Sequence, residues 1–301
     1  MTGLRFLVLG SAAGGGLPQW NCGCSNCVAA RDPSSDLKPQ TQSSLAVSLD
    51  GESWGLFNAS PDIRQQLGQT PALHPRGLRD TPIESVVVTN GDIDHIAGLL
   101  TLREKQAFTL FGTAVTQAVL ESNPVFRVLD RAHVDVRPVS LEQVFHPVPG
   151  LDARIFAVPG KVALFLEEGE PDLDLEGEQT VGIEMICGDK RAYYVPGCAK
   201  LPRSLAERLR GADLVFFDGT VFRDDEMSQS GTGSKTGRRM GHMPISGDGG
   251  SLEALSALDI KQLIYIHINN TNPIWRLGPE RSAVEAAGFT IGHDGLEIYL
   301  G

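Results

Sequence analysis

Short apolar runs separated by turn residues dominate the first third of the chain. A run at 5–9 stops at Gly10, and runs at 44–49 and 54–58 are separated by Asp50 and Gly51, a pair typical of a β-hairpin. These patterns predict three early strands. Further apolar or alternating runs predict strands at 85–88, 108–111, 133–138, 153–158, 163–167, 180–187, 191–195, 214–217, 262–266 and 296–300. The four between 133 and 187 are expected to be antiparallel.

Helical spacing is concentrated in the middle and last thirds of the chain. It predicts helices at 61–66, 96–102 continuing to 106, 113–122, 202–210, 251–258 and 279–287. Early hairpins followed by strand–helix alternation do not fit a doubly wound sheet. They fit an α+β sandwich, in which two packed β-sheets carry helices outside. No repeat or clear linker divides the 301 residues, so we expect a single domain over 1–301.

Two polar stretches interrupt these elements. An acidic stretch with Pro and Gly at 169–177 predicts a solvated loop. A Gly/Ser-rich stretch at 223–241 predicts a mobile loop near the functional site.

Composition narrows the classes of partner. A formal charge of −11 and an isoelectric point near 5.1 argue against nucleic acid or an anionic membrane surface. No apolar run approaches the roughly 20 residues of a membrane helix, and the first run is too short for a signal peptide. We therefore expect a soluble, cytoplasmic protein.

Three of the five cysteines, Cys22, Cys24 and Cys27, lie within six residues. Gly23 lets the backbone fold tightly there, so the three thiolates can occupy three corners of a Zn²⁺ tetrahedron. A redox Cys-x-x-Cys motif is the competing interpretation, but no βαβ pattern frames it. The spacing therefore favours a structural zinc site.

The segment at 89–95 places Asp92, Asp94 and His95 between an apolar strand and a helix-like run. Carboxylates and an imidazole at a strand-to-helix turn are typical ligands of a divalent transition metal. An Asp that only caps the helix is the alternative, and the spacing alone does not decide between them.

Other chemistry-bearing residues also follow apolar strands. Asp218 follows the run at 214–217, and His267 follows the run at 263–266. His242 comes from the polar loop after Asp218 and is a candidate ligand or general acid–base. Such residues could meet at one edge of a sheet sandwich. The remaining histidines, at 74, 133, 146 and 293, are interpreted as structural or surface residues.

In chain order, these features resemble the metallo-β-lactamase superfamily. Its fold is an αβ/βα sandwich of two mixed β-sheets flanked by helices, with the metal site at one edge of the sheets. The superfamily motif His-x-His-x-Asp-His corresponds to 90–95, with Asn90 and Asp92 in place of the first two histidines. The paired imidazoles of the first zinc subsite are lost, which counts against zinc-hydroxide hydrolysis.

More narrowly, the chain resembles the pyrroloquinoline quinone (PQQ) biosynthesis protein B family. The matching motifs span nearly the whole chain in the expected order, at 10–16, 19–27, 58–64, 89–95, 217–220, 240–244 and 267–273. The resemblance implies binding of PQQ or its precursor and work alongside other PQQ-synthesis proteins. It implies Fe²⁺- and O₂-dependent hydroxylation of the tyrosine ring of a Glu–Tyr precursor.

The same resemblance implies roles for individual residues. The expected ligands of the active-site Fe²⁺ are Asp92, Asp94, His95 and His267. Asp92 is the preferred carboxylate, with Asp94 or Asp218 assisting. His242 and Asp218 are the catalytic pair expected to handle protons on the phenol.

The cysteine cluster resembles the structural zinc site of a phosphodiesterase branch of the superfamily. In that branch the fourth ligand is a histidine three positions after the final strand-end histidine. Asn270 stands there in this chain. The fourth ligand is therefore the Asn270 oxygen, another nearby group or a water.

A precursor with several carboxylates implies basic side chains in its binding site. Arg64 and Lys200 are the expected substrate-binding residues, and a solvated charge run is the alternative. Further candidates are Arg203, Lys235, Arg238 and Arg239.

Two other functions stay open. One is a carrier that takes PQQ or its precursor toward the periplasm, although no membrane segment supports it. The other is a zinc hydrolase or phosphodiesterase. The sequence also leaves open which metal the active site holds and whether the chain forms a homodimer.

Overall fold

Two seven-stranded mixed sheets form the architecture of this protein, seen in a computed structural model that describes residues 3–170, 172–173 and 175–301. The strands are β1 (Leu4–Gly10), β2 (Ser44–Ser48), β3 (Trp54–Phe57), β4 (Ile83–Val87), β5 (Phe108–Gly112), β6 (Val134–Pro138), β7 (Val144–Phe145), β8 (Asp152–Pro159), β9 (Glu176–Cys187), β10 (Lys190–Val195), β11 (Leu214–Asp218), β12 (Leu263–Ile266), β13 (Thr290–Ile291) and β14 (Glu297–Leu300). The order is β14-β1-β2-β3-β4-β5-β6 in the first sheet and β13-β12-β11-β10-β9-β8-β7 in the second.

Helices occupy the outer faces of both sheets. They are α1 (Ser25–Arg31), α2 (Ile63–Gln69), α3 (Ile93–Ile96), α4 (Ala114–Ser122), α5 (Arg203–Leu209), α6 (Glu226–Gln229), α7 (Gly237–Met240), α8 (Ser251–Ser256) and α9 (Pro279–Ala286). In the described part of the chain, no helix is long and apolar enough to cross a membrane. The predicted α+β sandwich is confirmed.

The core between the sheets is built from their facing aromatic and aliphatic side chains. Phe6 of the first sheet lies against Phe216 of the second with ring centroids 5.3 Å apart, and Phe57 meets Tyr194 at 5.9 Å. All four rings are buried. Separate apolar clusters hold the helices against the outer face of each sheet. This packing fixes the strand ends, and with them the edge that carries the functional residues.

Most of the strands that end at this edge pair in parallel. β3 to β6 run parallel in the first sheet, and β10 to β13 run parallel in the second. The carboxyl ends of neighbouring parallel strands lie side by side, so residues that follow them converge.

Several local predictions were wrong. The helix expected to reach residue 106 is a short turn of α3 and a 3₁₀ segment at Ala97–Leu100. Gly98 packs so closely on the Ser60 carbonyl that a Cβ would lie 2.2 Å from it, and Lys105 has a left-handed φ of 59°. The left-handed Lys105 excludes a continuous helix to residue 106. β6 pairs parallel with β5, not antiparallel.

The strand expected at 163–167 is also wrong. That segment forms a 3₁₀ turn at Leu164–Leu166, because the end of β8 pairs with the start of β9 and leaves it no sheet partner. The loop predicted at 223–241 contains α6 and α7. Of the loop predicted at 169–177, residues 171 and 174 lie outside the described residues, and β9 begins at Glu176.

Candidate metal centre

Five side chains with metal-binding or acid–base chemistry meet at the carboxyl ends of strands from both sheets. β4 leads into α3, which carries Asp94 and His95. β11 ends on Asp218, and His267 directly follows β12. His242 follows α7 in the connection from β11 to α8. The structure brings all five together at one edge of the sandwich, in two groups that have His267 in common.

Asp94, His95 and His267 form the first group, whose ligand atoms all lie within 4.8 Å of one another. Asp94 Oδ2 lies 3.0 Å from His267 Nε2 and 3.7 Å from His95 Nε2. The two imidazole rings meet edge to face with centroids 5.3 Å apart. Two imidazoles and one carboxylate are the ligand set of many non-haem Fe(II) sites.

Asp218, His242 and His267 form the second group. His242 Nδ1 lies 2.7 Å from Asp218 Oδ2, and its ring stacks on His267 with centroids 5.0 Å apart. Asp218 is fully buried and also accepts the main-chain N–H of Cys198 at 2.9 Å. A carboxylate held in this way orients His242 with Nδ1 as donor and Nε2 as acceptor.

Asn90 sets the tautomer of His95. Its Nδ2 donates to Asp92 Oδ2 at 2.8 Å, and its Oδ1 accepts the Asp92 N–H at 3.1 Å. Oδ1 therefore faces His95 Nδ1, 2.6 Å away, and Nδ1 carries the proton. His95 Nε2 is left with a lone pair. It is buried and has no hydrogen-bond partner among the residues that the structure describes. A buried nitrogen in this state fits a metal ligand.

Thr220 sets the tautomer of His267. The Thr220 hydroxyl lies 2.6 Å from Asp218 Oδ1 and 2.8 Å from His267 Nδ1. Its single proton goes to the carboxylate, so His267 Nδ1–H donates to it and Nε2 keeps a lone pair. That nitrogen and the ionised Asp94 carboxylate are two acceptors 3.0 Å apart. They need a cation between them, either a proton or a metal.

Burial and neighbouring charges set the protonation states. Burial opposes ionisation of Asp94, but His95 and His267 outweigh it and hold the pKa of that carboxyl far below its usual range. Burial lowers the pKa of His95 to about 4, so this imidazole is neutral at pH 7. An ionised carboxylate beside a neutral imidazole is the state that metal ligation requires. For Asp92, burial and the Asp94 charge raise the pKa.

Above these groups lies a cavity of about 310 Å³. Its lining residues include the predicted Asp92, Asp94, His242 and His267. Asp92 lies outside both three-residue groups found in the described ranges. The distances therefore favour Asp94 over Asp92 as the carboxylate shared with the two histidines.

The expected substrate-binding residues, Arg64 and Lys200, do not line this cavity. Arg64 is exposed on α2 and lines a separate groove with Leu67 and Phe108. Lys200 does not line the cavity, and its carbonyl accepts from the Cys198 thiol at 3.0 Å. Arg203 pairs with Glu207 on the surface of α5. α2 and α5 therefore carry Arg64 and Arg203 away from the cavity.

The basic group at 235–239 is divided by the structure. Lys235 and Arg239 line the cavity, but Arg238 lines a different groove and donates to the Asp248 carbonyl at 2.9 Å. Lys161 also lines the cavity and carries no sequence signal, since it lies between β8 and β9 in the short gap between the strands predicted at 153–158 and 163–167. Thr220 lay within a quoted motif, but only its contacts show that it orients a histidine.

The three thiols of Cys22, Cys24 and Cys27 form a separate group within the same 4.8 Å limit. The Asn270 side-chain nitrogen lies 3.2 Å from Cys22 Sγ, 3.6 Å from Cys24 Sγ and 3.2 Å from Cys27 Sγ. An amide oxygen and nitrogen exchange by a flip of the group, so Asn270 can present Oδ1 to an ion held there. Burial raises the pKa of Cys27 to about 11, so an ion must displace its proton.

One short segment after β12 serves both clusters. His267 and Asn270 are three residues apart, and His267 has a left-handed φ of 54°. The adjoining Thr271 hydroxyl donates to Glu226 Oε1 at 2.6 Å, and the Phe222 N–H donates to Oε2 at 2.7 Å. Glu226 is buried, which raises its pKa to about 7. The segment is therefore tied to α6.

Comparison with known proteins assigns the fold and the relatives. A β-lactamase superfamily domain model matches residues 53–268. The coenzyme PQQ synthesis protein B of Rhizobium meliloti is 67% identical over 297 residues, covering 99% of this chain and 98% of that protein. The protein of the same name from Ruegeria pomeroyi is 57% identical, covering 99% and 100%.

Solved structures with similar folds agree with these matches. The Zn²⁺-bound PqqB from Methylobacterium extorquens has a TM-score of 0.96 at 50% identity and covers 98% of this chain and 100% of its own. A diphosphatase of the PhnP family has a TM-score of 0.71 at 22% identity, covering 99% and 97%, and shares the fold.

Proposed function

Since the chain belongs to the coenzyme PQQ synthesis protein B family of the β-lactamase superfamily, we propose that it acts in PQQ biosynthesis as an Fe²⁺- and O₂-dependent hydroxylase. Its substrate is the tyrosine ring of a Glu–Tyr-derived precursor. The single observation that carries the iron assignment is the group of Asp94, His95 and His267, with a buried, unpartnered His95 Nε2 in the described structure.

In this proposal Asp94, His95 and His267 hold the active-site metal. A bound Fe²⁺ would supply the ability to activate O₂, which the side chains alone lack. Asn90 and Thr220 keep both imidazoles in the ligating tautomer, because each accepts an Nδ1–H. The thiols of the cysteine cluster, with Asn270, hold a structural Zn²⁺.

His242 is the proposed proton acceptor for the phenol. Asp218 accepts its Nδ1–H at 2.7 Å, which leaves Nε2 able to take a proton. Since His242 lines the same cavity as Asp94 and His267 of the metal-binding group, a ring bound there lies within reach of both.

The test is anaerobic loading with Fe²⁺, followed by the Glu–Tyr precursor, ascorbate as the two-electron donor, and ¹⁸O₂. We expect a product about 18 mass units heavier per added oxygen, detected by mass spectrometry. Zn²⁺-loaded protein is the matched control and should give none. Absence of hydroxylated product, together with tight binding of PQQ, would support the carrier function instead.

A zinc hydrolase is the second candidate, because Asp218, His242 and His267 form another ligand group beside the first. Against it, Asn90 replaces a histidine of the hydrolase motif and uses its amide to bind His95 and Asp92. Turnover of a phosphodiester by protein with two bound zinc ions would favour this alternative.

A further inference from the structure

The cavity lining combines two chemically different kinds of side chain. Three are cationic, namely Lys161, Lys235 and Arg239. Three are large and apolar, namely Ile93, Leu164 and Phe165, whose exposed fractions are 57%, 58% and 46%. Large apolar side chains left open at a cavity mouth are typical of a ligand site. Together these side chains fit a molecule that has both an aromatic ring and anionic groups.

A buried carboxylate, that of Glu167, contacts two of the three cationic side chains. Glu167 Oε1 lies 2.8 Å from Lys161 Nζ, and Glu167 Oε2 lies 3.1 Å from Arg239 Nη2. The side chain of Glu167 is only 8% exposed, and that of Lys161 only 12%. The stem of Lys161 packs on Gly241, where an added Cβ would lie 3.2 Å from Lys161 Cγ. Glu167 therefore holds two cations side by side beside His242.

Arg239 keeps an unused donor. Its Nη1 is buried and has no hydrogen-bond partner within the described part of the chain, whereas Nη2 contacts Glu167 and Nε faces Glu170 at 3.9 Å. A buried guanidinium N–H without an acceptor carries a desolvation cost, which a ligand oxygen would remove.

We propose that Lys161 and Arg239 form a carboxylate-binding subsite for an aromatic ligand with more than one carboxylate, and that Glu167 is its positioning residue. The inference deepens the proposed function by naming the groups that recognise the acid side of the precursor. The ligand's ring lies against Ile93 and Phe165, and a carboxylate accepts from Arg239 Nη1 and Lys161 Nζ. Arginine suits this role because its fork can hold Glu167 and the ligand at the same time.

The test measures binding without turnover. Zn²⁺-loaded protein is titrated with PQQ, which carries three carboxylates, and with its trimethyl ester, followed by the absorbance of the quinone. We expect Arg239→Gln and Lys161→Met each to weaken binding of the triacid at least about tenfold, the usual scale for a charge-assisted hydrogen bond. Binding of the triester should change less than twofold.

Arg238→Gln is the matched control, because Arg238 lies one residue away and lines a different groove. It should leave both affinities unchanged. Thermal unfolding and zinc content identify any variant that fails to fold, and Lys161→Met gives an independent reading since it keeps the stem on Gly241. The subsite would be overturned if the variants bound the triacid and the triester equally more weakly than wild type does. It would also be overturned if both variants bound the triacid with wild-type affinity.

This experiment separates the subsite from the reaction. A carboxylate-dependent loss in Arg239→Gln, with no hydroxylation by Fe²⁺-loaded wild type, would keep the subsite and reject the hydroxylase. Hydroxylation by the Fe²⁺-loaded wild type, with normal binding of the triacid by both variants, would keep the hydroxylase and reject the subsite.

Discussion

The cysteine cluster and the Asp/His cluster are built on opposite principles. The three thiols of the first lie within six residues before and in α1, and only Asn270, which contacts them, comes from elsewhere. The second takes its residues from positions 94 to 267 and from both sheets. A local cluster can be recognised from its spacing, because few backbone conformations connect its members. A dispersed cluster exists only when the sandwich is correctly packed, so its chemistry depends on the whole fold.

The largest effect is expected from a substitution that breaks the cysteine cluster. Cys27→Ser should lose the structural zinc and destabilise the fold by roughly 3 kcal/mol or more, because Cys27 is fully buried and a metal ligand contributes directly to folding. Zinc content and urea unfolding measure the change. Cys187→Ser, at the end of β9, is the control and should keep both properties. A Cys27→Ser protein with normal zinc and stability would remove the structural role.

The second prediction separates the two carboxylates of the dispersed cluster. Asp94→Asn should weaken Fe²⁺ binding at least about 100-fold, because Asp94 faces both His95 and His267. Asp92→Asn should weaken it about tenfold, since Asp92 acts through Asn90. Anaerobic titration with Fe²⁺ gives both constants, and the thiol-bound zinc should be retained. The opposite ranking would restore Asp92 as the main ligand.

The third prediction concerns the groups that orient the ligands. Thr220→Val removes the acceptor of His267 Nδ1–H and should weaken Fe²⁺ binding roughly tenfold, within the usual range for such partners. Thr220→Ser keeps the hydroxyl and should restore most of the affinity. If valine and serine behave alike, the size of the side chain matters and the hydrogen bond does not.

The last prediction is a pH-dependent effect in the link between the clusters. The folded-state pKa of Glu226 is raised to about 7 by burial, above its ordinary value of 4.5. As pH rises between these values, the unfolded chain loses its Glu226 proton first, so the wild type loses stability across this window. Glu226→Gln should therefore be more stable than wild type above pH 7, by at most about 3 kcal/mol at about 1.4 kcal/mol per pKa unit, and equal near pH 4.5. Urea unfolding at several pH values measures the difference, and a pH-independent difference would contradict it.

The sequence predicted the parts of the site that follow long apolar strands. Asp218 and His267 each end a buried run, and parallel pairing of β11 with β12 makes such residues neighbours. The strand prediction failed where a segment lacks a sheet partner. The apolar run at 163–167 reads as a strand, but it turns in a 3₁₀ segment and supplies Leu164 and Phe165 to the cavity wall. Contacts such as Glu167 with Lys161 and Arg239 depend on tertiary packing and leave no periodic trace.

The segment that connects His267 to Asn270 couples the two candidate metal sites. Asn270 reaches the thiols only when the chain after β12 adopts one path, and that path includes the left-handed backbone of His267. Because both clusters depend on this one path, an ion bound at either cluster should favour binding at the other. If the proposed hydroxylase is correct, zinc shortage in a growing cell would then weaken its activity even where iron is plentiful.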